Sequence, residues 1–226
     1  MTTEALLDAT APCAQHFTWQ EAWTLAVLHP SVATFETLVA DPAASRRRAF
    51  KWVLAGLVAG AVLGGTVESD LQLGGLASAA CLAATALLLA PLAFLVAFIQ
   101  AAIPNWIARM SGGRGELDNL LYAFSAFTVP LTMLLAGVAA ASTALEAAIP
   151  ALGGILPVIT SVGFAAAGSL AAVYEIALAV IAVRAVHGIG WGGAVLALAP
   201  AAAAAALTLA FNALLSMEEV LGLIAM

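Results

Sequence analysis

The sequence predicts an all-α, polytopic membrane helix bundle with about five transmembrane helices and a short amphipathic N-terminal arm. Two observations carry that expectation. Hydrophobic residues fill 64% of the 226 positions and charged residues only 9%, and the few charges divide the chain into apolar intervals of membrane-spanning length. A soluble domain carries about 25% charged and about 45–50% apolar residues, and so few charges could not cover the surface of a soluble fold of this size. A bilayer removes that demand, because surface facing lipid is apolar. A span needs about 20 mostly apolar residues to cross a hydrocarbon core of about 30 Å. The arm is placed at residues 1–48 and the five-helix domain at residues 49–226.

In the arm, Trp19, Trp23, Ala26 and Val27 fall on one face at helical spacing, and beyond Pro30 the residues Val32, Phe35, Leu38 and Val39 do the same. Pro30 and the Asp41-Pro42 pair punctuate these turns. Such a segment either lies on the inner leaflet as an interfacial helix or packs under the bundle, and the sequence leaves both open. The first 45 residues lack a basic stretch followed by an apolar core, so no cleaved signal peptide is expected and the first span is expected to act as the insertion signal.

The first span covers residues 50–67 and stops at Glu68 and Asp70, with Lys51 snorkelling and Trp52 anchoring its edge. The second covers residues 75–100, contains Pro91, and is expected to end at the interface around Pro104, Asn105 and Trp106. Residues 109–118 form a short polar loop turning at Gly112, Gly113 and Gly115. The third span, residues 119–145, is expected to bend at Pro130. Residues 146–157, with Pro150, Gly153 and Gly154, form a loop or re-entrant turn. The fourth span covers residues 158–183 and the fifth residues 194–217, joined by a glycine-rich turn after Arg184 and His187.

Orientation follows from the basic residues. With five spans, all seven (Arg46, Arg47, Arg48, Lys51, Arg109, Arg114 and Arg184) fall on one side, and the opposite segments hold Glu68, Asp70, Glu146, Glu218 and Glu219 with no Lys or Arg. That side is therefore expected to be cytoplasmic, with the N-terminus inside and the C-terminus outside. Four or six spans would break the alternation, and so one-sided a distribution argues against a dual-topology antiparallel dimer. Arg46, Arg47, Arg48 and Lys51 abut an apolar span, which is how a membrane flank looks, and nothing resembles a nucleic-acid footprint.

Gly56, Gly60 and Gly64, each four residues apart, form a helix-packing stripe that lets another backbone approach closely. Packing within the chain is the simpler reading, and a homo-oligomer contact is the alternative. Glu175 is the one ionisable residue well inside a span, at a cost of roughly 2.5–3.5 kcal/mol if it sits charged at a helix centre. It lies nine residues before Arg184, about 13.5 Å along the axis and half a turn away, so the two should not pair. Its face holds Gly168, Ala171, Ala172, Ala179 and Ala182, small residues suited to a helix contact. Glu175 is expected to point into the bundle, protonated or hydrogen-bonded, either as a structural bond or as an intramembrane polar site for an ion or proton.

No nucleophile–base pattern, P-loop or dinucleotide fingerprint is present. The Glu218-Glu219 pair has no partner histidine in a span, and His16, His29 and His187 are scattered. Cys13 lies in the polar arm and Cys81 in an apolar span, a spacing that suits neither zinc nor a disulfide. Catalytic residues, metal ligands and cofactors are all expected to be none.

The arm segment HPSVATFETLVADP (residues 29–42) resembles the pre-membrane element of Yip1-domain proteins. ARMSGGRGELDNLLYAFSAFTVP (residues 108–130) is similar to that family's Gly-rich loop followed by an aromatic-containing helix ending near a Pro. YEIALAVIAVRAVHGIGWGGAVLALAP (residues 174–200) resembles its last two helices and their turn. The resemblance covers residues 29–217. It implies a five-span protein with the N-terminus inside, without enzymatic activity, that organises membrane or partners. Eukaryotic members act in early secretory trafficking, bind prenylated small GTPases or each other, and shape membranes. The alanine-rich composition here reads as bacterial, so a cell inner membrane is expected, with the lipid bilayer, other membrane proteins or a second copy as partners. The rival expectation is a small transporter or channel using Glu175.

Overall fold

The computed structural model describes residues 16–65, 75–149, 155–204 and 206–207. Among these residues the chain is helical, with no strand. Two short helices, α1 (Trp19–Leu28) and α2 (Val32–Val39), precede α3 (Arg46–Gly65), α4 (Gly75–Met110), α5 (Leu117–Ala148) and α6 (Ile155–His187), and an apolar α7 (Trp191–Ala204) follows. Three helices are long and apolar enough to cross a membrane: Ala80–Met110, Leu117–Glu146 and Val158–His187. The C-terminal part of the expected fifth span, Glu218, Glu219, Glu68, Asp70 and Cys13 lie outside the described residues.

Local chemistry sets the ends. Thr18 caps α1 by accepting the Glu21 N–H at 3.3 Å, while Glu21 accepts the Thr18 N–H at 2.8 Å, a reciprocal box that satisfies two orphan donors. Ser31 caps α2 by accepting the Thr34 N–H at 3.0 Å. Gly188, at φ +64°, closes α6 in the left-handed conformation. α4 runs through Pro91 and Pro104 to Met110, so Pro104 is helical and buried rather than an interfacial end. A proline forfeits few backbone bonds, and neighbours re-satisfy them in a membrane bundle.

The arm packs on the bundle, against α5 and α6. Ala22 and Ala26 of α1 and Phe35 and Leu38 of α2 are fully buried. The Phe35 ring meets Phe127 of α5 edge-on at 6.1 Å, and the Tyr174 hydroxyl of α6 donates to the Val27 carbonyl. The expected aromatic stripe is rotated: alanines make the close contact, Trp23 flanks it, and Trp19 is half exposed.

A buried ion pair ties the arm to α3. Asp41 accepts from Arg48 at 2.7 Å and from the Phe17 N–H at 3.3 Å on one oxygen, and from the Ala43 N–H at 2.8 Å on the other, which also lies 3.3 Å from His16 Nδ1. Arg48 donates in turn to the Phe17 carbonyl, and its guanidinium lies 5.1 Å from the Trp52 ring centroid and 5.6 Å from that of Tyr122. Burial pushes the Asp41 carboxyl up, but the Ala43 N–H, the Arg48 guanidinium and the Phe17 N–H outweigh it, holding the group below the usual carboxylate range.

All seven basic residues sit at one end of the bundle. Arg46 pairs with Asp118 at the start of α5 at 2.7 Å, Arg109 donates to the Gly115 carbonyl and the Arg114 N–H to the His187 carbonyl, and Arg184 stacks 4.2 Å from the Trp191 centroid. At the opposite end, Glu146 of α5 accepts from the Thr160 hydroxyl of α6.

The glycine stripe behaves unevenly. A Cβ at Gly56 would lie 2.8 Å from Val129 Cγ1 of α5, so α3 and α5 touch there. At Gly60 nothing among the described residues lies within 4 Å, so the contact between α3 and α5 does not extend to this position. Crossing helices approach closely only near the crossing point, and Gly60 is about 6 Å further along the axis. The surroundings of Gly64 are not described.

Two outcomes follow. Gly56→Leu should destabilise the protein by about 1–3 kcal/mol through overpacking against a stiff β-branched neighbour, seen as a lowered melting temperature in detergent, while Gly60→Leu should leave it close to wild type. Equal melting losses in both would refute the assignment of the contact to Gly56. Asp41→Asn should destabilise at neutral pH by about 3 kcal/mol, because Arg48 keeps a part-buried, unpaired charge. Because the folded Asp41 value is lowered, its contribution is complete above the unfolded value of about 4 and is lost as pH falls through the folded one. The melting difference between wild type and Asp41→Asn should therefore hold steady above about pH 5 and shrink below pH 4; a difference that grows in acid would contradict it.

Candidate functional site

Glu175 lies midway along α6 on its small-residue face. Ala172 and Ala179, one turn to either side, line the same cleft as its carboxyl, and Ala182 is buried a turn further on. Toward the other end the face opens: nothing lies within 4 Å of where a Cβ on Gly168 would sit. The Thr128 side chain of α5 lies near the carboxyl. Thr128 adjoins Val129, so at one level α5 turns a hydroxyl to α6 and an apolar side chain to Gly56 of α3.

The cleft beside Glu175 has a volume of about 180 Å³ and is closed by Phe124 and Phe127 of α5, Leu198 of α7 and Gln100 of α4. Gln100 also lines a second cleft of about 430 Å³ between α3, α4 and α5, where Thr128 and Thr132 contribute hydroxyls among apolar side chains. Glu175, Thr128, Thr132 and Gln100 thus form a sparse polar seam through the bundle. Chemically the seam offers one carboxyl, two hydroxyls and one amide. It can hold and exchange a proton or coordinate a cation with few ligands. Among the described residues no group of three or more His, Cys, Asp or Glu is placed to hold a metal ion.

Sequence reasoning pointed Glu175 inward and away from Arg184, which stacks on Trp191 instead. It did not find Thr128, Thr132 or Gln100, which are ordinary polar residues of separate helices with no spacing signal that links them. It also did not find the role of His187, which is buried beneath the Gly-rich loop and accepts the Gly115 N–H on Nδ1 at 3.2 Å. A Cβ on Gly115 would lie 2.5 Å from the Val186 carbonyl, and one on Gly113 would lie 2.8 Å from the Ala108 carbonyl. The glycines are there so that this loop can lie flat on the end of α6.

The Glu175 seam, the arm over α5 and α6, and the loop pinned by His187 all fall between residues 16 and 202. No curated protein and no solved structure matches the chain. The family profile of the Yip1 domain matches residues 25–212, most of the arm and the described helices, and the chain belongs to the Yip1 domain family.

Proposed function

We propose that this is a non-enzymatic protein of Yip1 type that organises membrane or binds membrane partners through the folded cap on the basic end of its bundle. The observation that carries the reading is the cap itself. α1 and α2 bury Ala22, Ala26, Phe35 and Leu38 against α5 and α6 and leave Trp19 and Leu28 exposed, a rigid, aromatic-edged face next to the membrane rather than a mobile tail. Family membership supports it. In this reading the chain spans the cell membrane five times with residues 1–48 in the cytoplasm, and Gly60, with nothing near it among the described residues, is where a second copy or another membrane helix approaches.

Single-cysteine labelling tests the topology. Positions 114 and 190, both exposed, should be reachable only from the cytoplasm, and position 146 and the C-terminus only from outside; a cytoplasmic C-terminal reporter would overturn five spans.

A second reading is favoured by one specific observation: Glu175 lines a cleft with Gln100, with Thr128 nearby, as a proton- or cation-coupled transporter would require. Against it, among the described residues the seam holds a single ionisable group and no unwound helix at its depth, where transport paths have broken helices at the midplane. In proteoliposomes the wild type should show no proton or cation flux above empty vesicles, and Glu175→Gln should melt like wild type while Glu175→Leu melts lower, having stranded the Thr128 hydroxyl. A flux present in wild type and abolished by Glu175→Gln would replace the first reading with the second.

A further inference from the structure

A groove of about 900 Å³ runs along the membrane edge of the cap, between α1 and the first half of α3. Its mouth carries Arg47, Arg48 and Lys51, its walls Trp19, Trp23 and Trp52. The charge of Arg48 is already met by Asp41 and that of the neighbouring Arg46 by Asp118. Arg47 and Lys51 have no carboxylate partner among the described residues, so two unneutralised cations, one helical turn apart, face the groove. The Trp23 indole N–H is buried and has no acceptor among the described residues.

Deeper in, the lining changes character. Ala55 and Ala59, one and two turns further along α3, and Met133 of α5 form an apolar floor. Cations at the mouth, indoles at the middle and small apolar residues below follow the order of a leaflet: headgroup, interface, acyl chain. Basic residues beside a membrane helix attract anionic headgroups. A free phosphate would satisfy the cations but leave the floor uncovered.

We propose that this groove binds one anionic phospholipid of the leaflet at the basic end of the bundle, its phosphate on Arg47 and Lys51 and an acyl chain along Ala55 and Ala59. This goes beyond the partner-binding reading and holds whichever of the two functional readings is right.

Native mass spectrometry of the full chain in detergent tests it, titrating dioleoylphosphatidylglycerol against dioleoylphosphatidylcholine. The expected result is a single phosphatidylglycerol adduct preferred at least tenfold over phosphatidylcholine and unaffected by millimolar inorganic phosphate. The double variant Arg47→Gln, Lys51→Gln should lose the preference, and Arg47→Lys, Lys51→Arg should keep it. Ala59→Trp retains both charges but fills the floor and should weaken the adduct at least fivefold, which tests the site should the glutamine variant not fold. Equal retention of the two lipids, displacement by inorganic phosphate, an unaffected Ala59→Trp variant, or a dimer that forms in place of the lipid adduct would each overturn the proposal.

Discussion

A carboxylate removed from water costs several kcal/mol unless cations and donors surround it, and Asp41, fully buried, is surrounded by Arg48, the Phe17 N–H and the Ala43 N–H. That requirement organises the basic end of the molecule. Arg48 can reach Asp41 only when the arm has folded back, and it then bonds the Phe17 carbonyl and lies over Trp52 and Tyr122. The two ends of the arm, residues 17 and 41, are thereby fastened to the first turn of α3. The pair adds little to stability compared with an apolar replacement; its effect is on register. With Arg48 drawn inward, its neighbours Arg47 and Lys51 are left facing the groove, so the same contact that closes the arm defines the cationic mouth beside it.

The second, third and fourth spans were legible because hydrocarbon penalises charge, and the sparse charges therefore mark where long apolar helices end. Helix ends were less legible. α3 begins at Arg46 rather than at the first apolar residue because Ser45 accepts the Arg48 N–H and a basic run is compatible with helix. α4 continues about ten residues beyond the expected end, since Pro104 interrupts the bonding ladder without stopping the helix. The Thr18–Glu21 box and the Ser31 cap were not part of the expectation for the arm. The face each arm helix buries was only approximately readable, because spacing gives a stripe and close approach then selects its smallest members, Ala22 and Ala26.

For the polar seam, helical geometry within α6 was enough to aim Glu175 at neighbours and away from Arg184. Its partner was not accessible that way: Thr128 belongs to another helix, and which of the hydroxyls on α5 meets Glu175 depends on the axial offset of two helices, which no single-helix pattern contains. The glycine stripe shows the same limit. Gly56 and Gly60 share a face of α3, yet among the described residues the height of Val129 decides that Gly56 rather than Gly60 is in contact.

The helix lengths explain why the arm exists at all. With 36, 32 and 33 residues, α4, α5 and α6 are about 54, 48 and 50 Å long, against a hydrocarbon core of about 30 Å. Roughly 20 Å of each must stand beyond the hydrocarbon, and an apolar helix surface there would face water. Among the described residues the buried ones lie where that excess requires them, in 17–52, 101–131 and 178–198, with Gly56, Ala86 and Ala90 the exceptions. Within lipid no hydrophobic force draws helices together, and Leu88, Leu134 and Val162 remain exposed. Beyond the lipid the hydrophobic effect acts fully, and α1 and α2 fold over α5 and α6 to satisfy it. The chain thus folds under two solvents, and Glu175, four residues before Ala179 and one after the Tyr174 that holds the arm, stands close to the boundary between them.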